Sequence, residues 1–226
     1  MATLDDIAQE LGVSKGTVSK ALNGAKDVSK KMQQAVLEKA VELGYSRLNR
    51  STAAPRLAVF ILNMEYSKPE DFGYDIVVGF RQAAEPAGFQ VEIIPLTLQL
   101  QQEIRYDEYM MRENYCGGLF LGLSLLDPWI TEFETCRTPT VLYDNHVSGN
   151  PKVTSIGVDI TESIALAIRH LRSMGHTKIG YLSSALGSFV YQQRYHAFFE
   201  ALKESGLPHD ETLTGVSYFI SECMAE

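Results

Sequence analysis

The stretch G-V-S-K-G-T-V-S-K-A-L-N-G, from Gly12 to Gly24, decides how the first part of the chain folds. Gly12 can end one helix, because glycine adopts the left-handed backbone conformation there at little cost. Ser14 can accept a hydrogen bond from an early N–H group of a second helix, which Asn23 and Gly24 would close. Three apolar residues of this helix would face inward: Val18, Ala21 and Leu22. The stretch therefore predicts a short helix that follows a tight corner.

One helix is predicted before this stretch and another after it. Thr3 and Asp6 have the spacing of a capping box at a helix start, and Ser29 can cap a later helix that ends before Gly44. Apolar residues follow at helical spacing. They are Leu4, Ile7, Ala8 and Leu11 in the first helix, and Met32, Ala35, Val36, Ala40 and Leu43 in the third. Residues 1–45 therefore hold three short helices, which we call the headpiece.

The pattern changes after the headpiece. Residues 46–56, S-R-L-N-R-S-T-A-A-P-R, are mostly polar or small and include a proline, which is typical of a linker. Residues 57–226 then alternate apolar strands with helices, which predicts a parallel sheet with right-handed crossovers. The predicted strands are Leu57–Leu62, Phe89–Ile94, Gly118–Leu121, Thr140–Tyr143, Ser155–Val158 and Lys178–Leu182. The predicted helices are Ile76–Gly88, Gln99–Asn114, Glu162–Met174 and Gln193–Ser205.

Charge is distributed unevenly along the chain, whose net charge is −8. Residues 1–56 hold nine lysines and arginines against six acidic residues, a net charge of +3, so the remainder carries −11. A basic head on an acidic body indicates that only the head approaches a polyanion, although so small an excess is also compatible with chance.

Composition places the chain among globular proteins, with 45% apolar and 21% charged residues. The apolar runs are far shorter than the roughly 20 residues of a membrane helix, and the acidic N-terminus contains no signal core. The chain has an odd number of cysteines, and none of them forms a C-x-x-C motif: Cys116, Cys136 and Cys223. We therefore expect a cytoplasmic protein with no membrane partner, disulfide framework or zinc site.

The polar side of the Gly12–Gly24 helix has the chemistry of a DNA-binding surface. Its residues are small, hydroxylated or basic, and none is acidic: Ser14, Lys15, Gly16, Thr17, Ser19 and Lys20. Hydroxyl and ammonium groups can donate to phosphate, which carboxylates would repel. Composition alone leaves a second interpretation open, a solvated helix face in a small bundle.

The wider pattern favours DNA. The motifs D-x-A, G-V-S-x-x-T-V-S-K-x-L-N, V-S-x-x-x-x-x-x-V and E-L-G-Y follow one another with the order and spacing found in the LacI/GalR family. Residues 3–45 thus resemble the headpiece of these bacterial transcription regulators. G-F-R-Q-A-A-E-P-A-G-F, V-L-Y-D-N and R-Y-H-A-F-F-E-A-L-K-E-S-G-L are similar to the family's ligand-binding core. That core is an α/β fold like a periplasmic sugar-binding protein, with a small molecule between two lobes.

The resemblance implies roles for individual headpiece residues. Ser14, Thr17 and Ser19 would hold phosphates, and Lys15, Gly16 and Lys20 would occupy base-facing positions. Asn23 and Tyr45 would help to position the backbone and pack the headpiece. Two positions depart from the family, since Gly16 has no side chain and Lys20 replaces the usual arginine and its planar fork. The linker also lacks the family's hinge-helix motif, P-N-x-x-A-R-x-L, whose leucine enters the minor groove.

The resemblance also implies an effector pocket at the strand ends. Asp144 could accept from a sugar hydroxyl, and Arg194 could bind the effector through its guanidinium group. Phe72 and Tyr74 lie near an aromatic element that stacks on ligands, and Asn63 follows the first strand. Structural alternatives are open: a turn residue for Asp144, a helix-start ion pair for Arg194, and core packing for the two aromatic residues.

The sequence thus predicts a sequence-specific DNA-binding transcriptional regulator, a repressor that acts as a homodimer and responds to a carbohydrate-like effector. The fold expected is an all-α helix-turn-helix headpiece followed by an α/β core. Members of the family continue well beyond this length, so we expect the second lobe to be incomplete. Enzyme, metal and cofactor motifs are missing. The alternatives are a solute-binding protein of the same fold and a truncated regulator without function.

Overall fold

The computed structural model describes residues 2–45, 54–184 and 186–217. They fall into two compact units. The first contains the described residues within 1–122, 127–142 and 147–154, and the second those within 123–126, 143–146 and 155–226. The linker is described only from Ala54 onward, so the expected absence of a hinge helix lies outside the described residues.

Three helices form the headpiece, as the sequence predicts: α1 (Leu4–Leu11), α2 (Lys15–Leu22) and α3 (Lys30–Glu42). Thr3, Ser14 and Ser29 cap them, each accepting a hydrogen bond from an N–H group three residues later. Their shared core contains ten buried residues: Leu4, Ile7, Ala8, Val18, Ala21, Leu22, Val36, Leu37, Ala40 and Tyr45. On α3, Leu37 is buried and Ala35 only half-buried, so the buried face is turned slightly from the predicted one.

A five-stranded sheet follows the headpiece, with the order β2-β1-β3-β4-β5. Its strands are β1 (Arg56–Ile61), β2 (Gln90–Pro95), β3 (Tyr115–Leu121), β4 (Thr140–Tyr143) and β5 (Val153–Ile156). β1 pairs in parallel with β2 and β3, and β3 pairs in parallel with β4, which confirms the predicted parallel sheet. β5 begins two residues before its predicted start.

Four helices accompany this sheet in the first unit: α4 (Tyr74–Ala84), α5 (Leu98–Glu103), α6 (Tyr106–Arg112) and α7 (Pro128–Glu132). The predicted single helix Gln99–Asn114 is wrong, because the chain is extended at Ile104 and Arg105. Two tertiary hydrogen bonds hold this break. The indole N–H of Trp129 donates to the carbonyl of Ile104, and the N–H of Tyr106 donates to the carboxylate of Glu132.

The second unit contains α8 (Ile160–Ser173), β6 (Tyr181–Ser184), α9 (Phe189–Glu204), a short 3-10 helix (Glu211–Leu213) and β7 (Thr214–Ser217). Asp159 caps α8, as the sequence suggests, and β6 pairs in parallel with β7. The core between α8 and α9 contains Ala165, Ile168, Phe198, Ala201 and Leu202. The predicted strand at Lys178–Leu182 begins three residues too early, and the sequence did not reveal β7.

Candidate nucleic-acid interface and effector pocket

A tight corner orients α2 against α1. Gly12 has a φ of 63°, and the N–H groups of Gly12 and Val13 donate to the carbonyls of Gln9 and Ala8. Val18 then points into the headpiece core, where it is fully buried. This packing fixes which side of α2 faces solvent and gives the geometry of a helix-turn-helix.

The predicted DNA-contacting residues of α2 lie together on its accessible side. Ser14, Lys15, Gly16 and Lys20 are exposed, and Thr17 and Ser19 are half-buried. The Ser14 hydroxyl oxygen accepts from the Thr17 N–H at 3.1 Å and lies 2.9 Å from the Thr17 hydroxyl. A Cβ at Gly16 would meet the Ser14 oxygen at 3.6 Å, an ordinary contact, so the structure has room for a side chain there.

Both lysines of this surface are paired with aspartates outside α2. The Lys15 ammonium nitrogen lies 2.6 Å from an Asp5 carboxylate oxygen, and the Lys20 ammonium group pairs with Asp27. The hydrogen bond from Lys20 lowers the pKa of the Asp27 carboxyl. Neither aspartate could be predicted as a partner from helical i,i+4 spacing, because the pairs span ten and seven residues.

Asn23 and Tyr45 have different surroundings. Asn23 is exposed at the end of α2, where its side-chain amide donates to the Ser19 carbonyl at 2.9 Å. Tyr45 is buried in the headpiece core, and its N–H donates to the carbonyl of Ala40. The structure therefore brings Asn23 to the surface at the end of α2 and places Tyr45 in the headpiece core, in a packing position.

The headpiece packs on the α/β part of the first unit through α3 and α6. The Gln34 amide donates to the Glu108 carboxylate at 2.8 Å, and Met111 packs against the headpiece core. A cavity of about 470 Å³ adjoins this contact. Its wall includes Cys116 and Cys136, and burial raises the pKa of both thiols, that of Cys136 to about 11. Neither thiol is therefore a ready nucleophile at neutral pH.

Three of the predicted effector residues lie in the first unit, after β1 and at the start of α4. Asn63 is exposed and has a φ of 52°, a left-handed conformation that asparagine tolerates better than most residues. Phe72 is 67% exposed, and Tyr74 is the half-buried first residue of α4. Phe72 is thus not a core residue, which removes the packing alternative for that side chain.

The other two predicted effector residues, Asp144 and Arg194, lie in the second unit. Asp144 follows β4 with a φ of 51°, and its N–H donates to the Ile156 carbonyl at 2.8 Å. Burial raises the pKa of its carboxyl, while the charge of Arg194 and the N–H of Val158 oppose that rise. The two residues therefore interact electrostatically within one unit.

A pocket of about 180 Å³ surrounds Asp144. Asn145, His146, Gly157 and Phe189 are among the residues that line it. The His146 and Phe189 rings lie 6.0 Å apart, and a His146 ring nitrogen lies 3.2 Å from the Ser155 hydroxyl. His146 and Phe189 were not among the predicted effector residues. The first follows Asp144 closely after a strand end, the position that would have signalled it.

Known proteins share these features. Residues 3–47 match the sequence model of the lacI family of bacterial regulatory proteins. The HTH-type transcriptional regulator CelR of Thermobifida fusca is 30% identical over 224 residues, which cover 96% of this chain and 65% of CelR. The headpiece thus matches the LacI family, and the rest of the chain is similar to a regulator with a helix-turn-helix domain. It spans 65% of the length of that relative.

Solved structures show the same architecture as this chain. A CelR–cellobiose complex gives a TM-score of 0.57 at 25% identity and covers 97% of this chain and 66% of that one. The lac repressor dimer bound to operator and the anti-inducer ONPF gives a TM-score of 0.52 at 20% identity, with 96% and 65% covered. The second likeness is one of fold. Among the described residues, no helix has the length and apolar character needed to span a bilayer.

Proposed function

We propose that this chain binds double-stranded operator DNA through α2 and regulates transcription, acting as a repressor dimer whose operator affinity responds to a small sugar-like molecule. One observation carries the proposal. The helix that follows the corner at Gly12 buries Val18 and turns a surface of small, hydroxylated and basic residues toward solvent.

The chemistry of this surface suits DNA. The first turns of a recognition helix lie in the major groove, where hydroxyl groups such as those of Ser14 and Thr17 donate to phosphates. Lys15 and Lys20 add positive charge at exposed positions of the same helix. A lysine can donate to guanine or to phosphate, but it lacks the bidentate fork of arginine. Because Gly16 contributes no side chain, we infer that α2 holds DNA more strongly than it distinguishes sequences.

The pocket around Asp144 supports the effector part of the proposal. The Asp144 carboxylate can accept hydrogen bonds from sugar hydroxyls. Arg194 does not line this pocket, but its charge acts on Asp144, and its guanidinium group can donate hydrogen bonds to the same ligand. A structure of CelR contains cellobiose, and a structure of the lac repressor shows a dimer bound to operator. Neither fact belongs to this chain, but both suit the fold and the residues found here.

The DNA-binding proposal is tested with Lys15→Ala and Lys20→Ala, alone and combined, in the full chain. Binding is measured by fluorescence anisotropy over a range of salt concentrations, on a duplex enriched from a randomised pool with the wild-type chain. Each variant should bind more weakly, and the slope of log affinity against log salt should fall by about 1 for each lost phosphate contact. Unchanged affinity and slope in the double variant would refute the proposal.

A matched control separates the effect of the lysine positions from the effect of net charge. Lys68→Ala combined with Lys203→Ala removes the same two positive charges from exposed sites outside the headpiece. This control should leave affinity and salt slope close to those of the wild type, because these charges lie outside α2 and its neighbours. Equal losses in the control and in the α2 variant would assign the effect to net charge alone.

A further inference from the structure

The two lysines of the α2 surface are each held by an acidic residue from a different part of the headpiece. Asp5 lies in the first turn of α1, and Asp27 lies in the segment between α2 and α3. The Lys15–Asp5 contact measures 2.6 Å, and Lys20 contacts Asp27 through a short hydrogen bond. Thus the only ammonium groups carried by α2 itself both face carboxylates.

Both contacts lie at the protein surface, where a DNA phosphate could replace the aspartate as the partner of the lysine. The four side chains are between 53% and 63% exposed, so water and salt screen each pair and neither is strongly held. A phosphate oxygen that approaches either lysine meets a group already hydrogen-bonded to a carboxylate. It must then displace that carboxylate or bind beside a second negative charge, and both arrangements cost affinity.

We propose that Asp5 and Asp27 compete with DNA phosphates for Lys15 and Lys20, and thereby set the affinity and the salt dependence of the headpiece. The inference rests on the proposed function, since it concerns the same surface and the same duplex partner. The lowered pKa of Asp27, caused by its hydrogen bond from Lys20, agrees with an ionised carboxylate that contacts Lys20 in the free protein.

The competition should change the number of cations released when the headpiece binds DNA, and therefore the salt dependence of binding. When DNA takes a lysine from its aspartate, the freed carboxylate gathers cations from solution, which offsets part of the cation release from the duplex. An uncharged partner would not gather them. Replacing each aspartate should therefore steepen the salt dependence as well as strengthen binding.

The test uses Asp5→Asn and Asp27→Asn in the full chain, with the same enriched duplex and anisotropy measurement. Each variant should bind about two- to fivefold more tightly, the range expected when an exposed ion pair is lost, and its salt slope should be steeper by up to about 1. Glu10→Gln is the matched control, because it removes one negative charge from α1 at an exposed site. The charge of Glu10 acts on Lys39. Circular dichroism checks that the helices persist in all variants.

A double-mutant cycle separates pairing from general charge. In a Lys15→Ala background the gain from Asp5→Asn should vanish, and in a Lys20→Ala background the gain from Asp27→Asn should vanish. Gains that persist in those backgrounds, or that Glu10→Gln reproduces, would overturn the inference while leaving DNA binding intact. A wild-type chain that enriches no duplex would instead overturn the proposed function, and this inference with it.

Discussion

At both the α2 surface and Asp144 a basic side chain acts on a carboxylate, but the two sites differ in their exposure to solvent. Lys15 and Asp5 are more than half exposed, so their attraction is weak and screened by salt. Asp144 is half-buried, and burial raises the pKa of its carboxyl despite the opposing charge of Arg194. We therefore expect the first site to respond to salt, and the contribution of Asp144 to stability to depend on pH.

The two sites also rest on different kinds of scaffold. The α2 residues sit on a capped helix whose position depends on side chains packed beneath it. Asp144 sits at a strand end with a left-handed backbone, and a Cβ at Gly157 would come within 2.5 Å of its carboxylate. Core packing therefore maintains the first site, whereas local backbone geometry maintains the second.

Ile7→Ala should give the largest effect and affect only the first site. Ile7 is fully buried in the headpiece core, and its truncation should lower the free energy of unfolding of the headpiece by about 2–5 kcal/mol. A headpiece of three short helices has a small free energy of unfolding, so this truncation should unfold it and abolish DNA binding. The measurement combines duplex binding with urea unfolding followed by NMR signals from each unit.

The contrast between units provides the control for Ile7→Ala. The Asp144 pocket should unfold at the same urea midpoint as in the wild type, as followed by its NMR signals, because that pocket lies in the second unit. Leu98→Ala, at an exposed position in the first unit, should change neither binding nor unfolding appreciably. If Ile7→Ala destabilised both units equally, the distinction between their scaffolds would be wrong.

The scaffold difference also explains how far the sequence could be interpreted. Helix caps are local, so Thr3, Ser14 and Ser29 could be predicted from residues three positions apart, and the structure confirms them. The break at Ile104 depends on Trp129 and Glu132, which lie far along the chain, and local periodicity carries no trace of it.

The candidate sites show the same limit. Which side of α2 is exposed follows from the helical repeat, so the positions of Lys15 and Lys20 were predictable. Their partners Asp5 and Asp27 come from other segments, and only the folded headpiece brings them within reach. Asp144 was predictable as a strand-end residue, whereas its pocket neighbour Phe189 begins a helix much later in the chain.

Arg194→Ala should give an intermediate effect and separate effector response from DNA binding. We expect affinity for the enriched duplex to stay at the wild-type value, since Arg194 lies outside the headpiece. We expect the change in affinity that a sugar causes, typically 5- to 150-fold for coupled sites, to disappear. A panel of mono- and disaccharides that includes cellobiose would be titrated into the protein–duplex complex, followed by anisotropy.

Arg169→Ala is the matched control for this prediction. Arg169 is an exposed arginine of α8 that pairs with Glu162, and, unlike Arg194, it is not among the groups that shift the pKa of Asp144. It should retain the full sugar response. A response that survives Arg194→Ala with the sugar that acts on the wild type would show that the pocket assignment is wrong.

Asp144→Asn should give the smallest effect, one that depends on pH and hardly on salt. Because burial raises the folded-state pKa of Asp144 above the ordinary value of 3.8, the folded chain binds this proton more tightly than the unfolded chain. The free energy of unfolding of the wild type should therefore fall, relative to Asp144→Asn, as pH rises from that ordinary value through the folded-state pKa. Above that pKa the difference should stay constant.

The measurement is urea unfolding of both proteins at a series of pH values, since all other acidic groups titrate alike in the two chains and cancel in the difference. Asparagine keeps a side chain that tolerates the left-handed backbone at this position, so the substitution changes charge without adding strain. A carbon-13 titration of the Asp144 carboxyl gives the pKa directly, and Arg194→Gln should raise it further by removing the opposing charge. A difference that follows salt rather than pH would place Asp144 with the exposed pairs of α2 and remove the contrast between the two sites.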